Sequence, residues 1–116
     1  MNNIIDEFSD IIINVVVLQS RLDNKIYEQK LRYTFINDSI LEYTEIKVFD
    51  INKRKYAFQW MMPDYSLIAR WDNALHHQHL ATFPHHKHTA DGLVVESFDI
   101  SLHDVLTEIR NSINSQ

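Results

Sequence analysis

The sequence contains no cysteine, and only one glycine and two prolines among 116 residues. Without cysteine there are no disulfides, no thiolate metal ligands and no cysteine nucleophile. That usage fits a reducing cytoplasm. Scarce glycine and proline exclude a low-complexity or linker-like chain. Long apolar runs are missing as well. Residues 11–13 and 15–18 are apolar but are separated by Asn14, and each falls far short of the roughly 20 residues that span a bilayer. The opening Met1-Asn2-Asn3-Ile4-Ile5-Asp6-Glu7 has no basic segment of a secretory signal. The expectation is a soluble, cytoplasmic protein with no membrane partner. Positive charge is also short: the net charge is −5 with neutral histidines, so the whole molecule exerts no general attraction on nucleic acid.

What is present describes an ordinary globular chain. Hydrophobic residues make up 45% and charged residues 23%, close to the globular averages, and the length suits a single domain over residues 1–116. Ile4, Ile5, Phe8 and Ile11 recur at helical spacing, which predicts a helix over residues 3–10 with Asn2 or Asn3 as its cap. Residues 11–22 are dense in β-branched side chains and predict a strand. Turn signals then recur at Asp23-Asn24, Asn37-Asp38, residues 50–53 and Pro63-Asp64, with runs rich in Tyr, Phe, Ile, Val and Thr between them. That punctuation predicts an antiparallel meander. Alternation places Tyr56, Phe58, Trp60 and Met62 on one face, with Lys55 and Gln59 on the other. It likewise groups Tyr65, Leu67, Ala69 and Trp71, which turns Arg70 outward. Glu42 and Glu45 fall on opposite faces, and Glu45 is the one expected nearer a site.

Residues 72–91 show no period and are read as a long ordered loop, a feature that is uncommon inside compact domains and often functional. A short strand over residues 93–96 follows. Ser101-Leu102-His103-Asp104 has the form of a capping box, and Leu102, Val105, Leu106, Ile109 and Ile113 make the apolar stripe of a closing helix. The fold expected is α+β: a β-meander of about five to six strands, an N-terminal helix, and a C-terminal amphipathic helix packed on the sheet.

Six of the seven histidines lie in residues 76–88, beside Arg70, Lys87 and the single acid Asp72. The segment reads Arg70-Trp71-Asp72-Asn73, His76-His77, His79, then Phe83-Pro84-His85-His86-Lys87-His88. An acidic protein thus carries a local basic patch whose charge changes near neutral pH. In these residues the sequence resembles the TumE family, the toxin components of type II toxin–antitoxin pairs in bacteria and archaea. The likeness extends through residues 41–45 and 55–60 to the closing helix, with Leu75 and Ala81 standing where the family often has proline. It implies a growth-inhibiting toxin paired with a small antitoxin, expected to carry a helix-turn-helix. It implies no particular chemistry.

The residues themselves leave three readings open. In the first, the target is RNA, cut without metal by an imidazole base and an imidazole acid. His85, His86 and His88 are the leading candidates and His76 and His77 follow. Arg70 and Lys87 would hold phosphate, Asp72 would orient a histidine, and Trp60, Tyr56 or Trp71 would stack a base if exposed. No cofactor is required in that case. In the second, a divalent metal of zinc type sits on a pair (His86 and His88, His77 and His79, or His76 and His79) completed by a third histidine or Asp72, with His76, His79, His86 and His88 the preferred set. In the third, the histidines pin the loop and the protein acts by binding alone. Phe83, Trp60 and Trp71 are expected in the core, His103 in solvent, and one of His85 and His86 turned inward. The apolar N-terminal helix and first strand are a surface for the antitoxin or for a homodimer.

Overall fold

The computed structural model describes residues 3–116, so Asn2 lies outside the described residues. Asn3 is the cap: its side-chain oxygen accepts the Ile5 N–H at 2.9 Å. The helix it opens, α1, is a single turn, Ile4–Glu7. It is shorter than the periodicity predicts, because turns over residues 8–11 bring Phe8 and Ile11 into the core and leave Ile5 exposed.

Among the described residues seven strands follow, β1 (Ile12–Leu22), β2 (Ile26–Phe35), β3 (Ile40–Val48), β4 (Lys53–Met61), β5 (Leu67–Asp72), β6 (His86–Thr89) and β7 (Val94–Glu96). They lie in one sheet in chain order, every neighbour antiparallel. The predicted turns fall where expected, and Asp38 and Asn52 take the left-handed backbone there that short polar side chains tolerate. The strand beyond the expected five to six is β6, cut from the end of what reads as a loop.

One face of the sheet carries Tyr33 and Phe35, Leu41 and Tyr43, Tyr56, Phe58 and Trp60, and Ala69 and Trp71. Helix α2 (Leu102–Asn114) closes over it with Val105, Leu106 and Ile109 buried. Ser101 and Asp104 form the predicted capping box. Each large apolar side chain fully buried in this layer contributes about 1.5–3 kcal/mol. Trp60 is held further by its indole N–H, which donates to Ser39 Oγ at 3.0 Å.

Alternation fails at two ends. A register shift between Trp60 and Met61 buries Met61 and turns Met62 out. Tyr65 has left the strand for a left-handed turn residue and is exposed. Phe83, expected in the core, is exposed too, because it sits on the tight turns before β6. His103 is exposed as expected, with its Nε2 2.7 Å from Glu7 Oε1 and its ring edge-on to Phe8.

Candidate functional site

The face of the sheet turned away from α2 is where the polar residues of β4, β5 and β6 line up. Across the ladder, Glu42, Gln59, Arg70 and His88 form one row, and Thr44, Ala57, Asp72 and His86 form the next. Glu42 therefore shares the row with Arg70 and is bonded to Arg32. Glu45 is on the helix side instead, taking the Tyr43 hydroxyl and Arg54. The expectation that Glu45 is the nearer carboxylate is corrected by this register.

Asp72 is the centre of the cluster, and only 4% of its surface is exposed. Its Oδ1 lies 2.9 Å from His86 Nε2 and accepts the Ala74 N–H at 3.0 Å. Its Oδ2 accepts Arg70 Nε at 3.0 Å and lies 3.4 Å from His88 Nε2. Burial alone would raise this carboxyl, but the Ala74 N–H and the His86 and Arg70 charges outweigh it and hold the group below the ordinary carboxylate value.

His86 is buried, with Nδ1 2.9 Å from the Pro84 carbonyl. That oxygen and the Asp72 carboxylate both only accept, so both ring nitrogens face acceptors: Nδ1–H donates to Pro84 and Nε2–H to Asp72. His88, two residues on and on the same face, is more open. Desolvation moves it below the ordinary imidazole value, the Asp72 charge opposes that shift, and the His86, Arg70 and His77 charges add to it. Arg70 also donates from Nη1 to Gln59 Oε1 at 2.6 Å. Nη2 has no partner among the described residues and is available to an anion.

The third imidazole comes from the loop over residues 73–85. Successive turns build this segment: Leu80, Phe83 and His85 donate backbone N–H groups to His77, Leu80 and Thr82, and the Phe83–Pro84 peptide is cis. His77 has φ +60°, a left-handed conformation uncommon for a residue with a side chain. Its ring reaches the strand pair, 4.9 Å from the ring of His86 and 5.8 Å from that of His88. One nitrogen each from His77, His86 and His88 falls within 4.8 Å of the others, close enough to share one ion.

Of the residues singled out in the sequence, Arg70, Asp72, His77, His86 and His88 come together, and four others do not. His85 lies on the helix side, its Nδ1 2.8 Å from the Tyr56 hydroxyl. Lys87, between His86 and His88 on β6, points to that side as well, over the Trp71 ring and 2.9 Å from Glu108. His76 and His79 are exposed on the loop. Of the histidines weighed for a metal, His86 and His88 come together with His77, whose left-handed backbone brings its ring in, while His76 and His79 stay outside this group. Trp60, Trp71 and Tyr56 are buried beneath the sheet and present no face for stacking. Sequence reasoning missed Gln59 as a partner of Arg70 and the Pro84 carbonyl as the anchor of His86. The signal for Gln59 was its parity with Arg70 across β4 and β5.

No helix of the described residues is long and apolar enough to cross a membrane. Neither a curated protein nor a solved structure matches the chain. The family described as Toxin TumE matches over residues 1–113. With nearly its whole length matched and the histidine segment inside the match, the chain belongs to the TumE toxin family.

Proposed function

We propose that this protein is the toxin of a type II toxin–antitoxin pair and that it cuts RNA by histidine acid–base chemistry at Arg70, Asp72, His77 and His88. The observation that carries the reading is the convergence of two imidazoles and a guanidinium on one buried carboxylate, with the His77 ring against both imidazoles, on the sheet face that the helix leaves open. His88, kept toward its neutral form by desolvation, takes the 2′-hydroxyl proton. The 2′-oxygen attacks phosphorus and the bond to the 5′-oxygen breaks. His77 gives that oxygen its proton, leaving a 2′,3′-cyclic phosphate and a 5′-hydroxyl. Arg70 Nη2 meets the charge that builds on the phosphorane. His86, committed to Pro84 and Asp72, positions the carboxylate rather than exchanging protons.

The partner is a small antitoxin, with a helix-turn-helix as its expected DNA-binding part. Strand β1 suits it as a docking edge. Ile13, Val17 and Leu22 are well exposed there, and residues 11–20 include no charge or proline of the kind that blocks strand addition. A second copy of the chain is the other occupant such an edge fits.

A second reading rests on the 4.8 Å grouping of His77, His86 and His88. Three imidazoles, one fixed through its Nδ1–H by a carbonyl, form an open zinc-type set. One experiment separates the two. Production of the protein alone should arrest growth, and co-production with the neighbouring gene product should relieve the arrest and co-purify. Freed of that partner, the protein should cleave RNA in EDTA, with the rate falling at least about 100-fold in His88→Ala. Loss of cleavage in EDTA with recovery in zinc or manganese selects the metal reading. Intact RNA under every condition ends both.

A further inference from the structure

Beside the cluster the open face continues as a trough, and its lining is basic. A cleft of about 150 Å³ next to Asp72 is bounded by Arg70, Lys55 and Ala74. Lys55 and Ala74 also border a larger cleft of about 530 Å³, which extends to Lys53, Leu75, His76 and Pro84. The two clefts therefore share a wall and run outward from the buried carboxylate. Lys53 and Lys55 alternate with the core-facing residues of β4, so both point to this side, about 6–7 Å apart along the strand. They are exposed and, unlike Lys47 and Lys87, hold no carboxylate among the described residues.

The wall is built in advance. Asn73 continues the β4–β5 ladder with its side chain: Oδ1 accepts the Tyr56 N–H at 3.0 Å, and Nδ2 donates to the Arg54 carbonyl at 2.8 Å. This fixes the loop against β4 beside the two lysines. Across from them stand Leu75, 72% exposed, Pro84 and the His76 ring, a surface with apolar faces and one polar tip.

We infer that this trough is the binding track for the single-stranded RNA flanking the scissile bond, with Lys53 and Lys55 on backbone phosphates and the Leu75–His76–Pro84 wall against a base. The inference rests on the RNA reading of the adjacent cluster. It gives His76, which stands outside the cluster, a part in substrate holding. It also explains how a chain of net charge −5 engages a polyanion, since free cations are concentrated next to the reacting phosphate.

The test uses full-length His88→Ala protein, which lacks the proposed base and leaves the RNA intact, so binding is read apart from cleavage. Anisotropy of a fluorescein-labelled 12-nucleotide RNA is followed against salt concentration. Adding Lys53→Gln and Lys55→Gln should weaken binding about tenfold, and should flatten the log–log salt slope by about 1.4, the release from two single-strand phosphates. Lys25→Gln, in the β1–β2 turn, is the control and should leave both unchanged. Equal affinity and slope with and without Lys53 and Lys55 overturn the track, and so does a loss of antitoxin binding with RNA binding intact. If the lysine variants lose RNA affinity while the unaltered protein fails to cut RNA, the track stands and the nuclease chemistry falls.

Discussion

At the scale of single residues, Asp72 holds the site together. It gathers four donors from three stretches of chain: Arg70 before it, Ala74 after it, and His86 and His88 across the ladder. The substitution Asp72→Asn preserves shape and removes the charge, leaving His86 buried beside an amide. Breaking one side of a buried pair costs about 3–5 kcal/mol, so Asp72→Asn should lower the thermal midpoint by about 10 °C or more. The pH dependence has a defined sign. Because the folded carboxyl sits below its ordinary value, its stabilisation is complete above the unfolded pKa near about 3.9 and disappears as pH falls through the folded value. In Asp72→Asn that acid limb should flatten. Calorimetry from pH 7 to pH 3 checks both. An unchanged midpoint at neutral pH would mean that the imidazoles are held by the loop and not by the carboxylate.

At the scale of elements, the molecule depends on one helix covering one face. Ile109 is fully buried in α2, and Ile109→Ala removes core volume that the rigid sheet beneath cannot refill, at a cost of about 2–5 kcal/mol. Ser101→Ala deletes the capping box and should cost about 1 kcal/mol. Chemical denaturation of the two variants should rank them in that order, and the reverse ranking would put the helix's stability in its cap. This element was readable in the sequence because five apolar residues keep the 3.6-residue period and Ser101-x-x-Asp104 marks its start. Strands β2 to β5 were readable from turn residues and alternation. Strand β6 was not. His86-Lys87-His88-Thr89 has no apolar alternation, since the inward position on the helix side is filled by Lys87, whose stem packs on Trp71 and whose ammonium reaches Glu108. The site was half legible for the same reason. The pairing of His86 with His88 follows from alternation once β6 is a strand, and Arg70 follows from its parity against Trp71. The choice of His77 over His76 or His79 does not follow from spacing. It is made by a left-handed backbone at one residue of an irregular loop, which no periodicity encodes.

At the scale of the whole molecule, the sheet separates two chemistries. The open face holds the imidazoles, Arg70 and the lysine-lined trough. The helix-covered face holds three buried tyrosines, Tyr33, Tyr43 and Tyr56. Burial pushes Tyr33 up to about 12, with the charge of Tyr27 adding to it. Tyr56 also reaches about 12, through burial and the Asp99 charge, against the opposing pull of Arg54. Tyr43 is raised furthest, by burial and then by the hydrogen bond and charge of Glu45. An unfolded tyrosine ionises near about 10, so between about 10 and 12 the unfolded chain gives up protons that the folded chain retains. Stability should therefore be fully present below about pH 10 and should drain away as pH climbs through the folded values. Phenolate absorbance and far-UV circular dichroism, followed together through an alkaline titration, make the check. The three buried phenols should ionise only as ellipticity is lost, and Tyr33→Phe should move that transition to higher pH. Phenolate signal from all five tyrosines with ellipticity still native would mean that the helix does not seal this face. The two-sided division on which the open-face site depends would then be wrong.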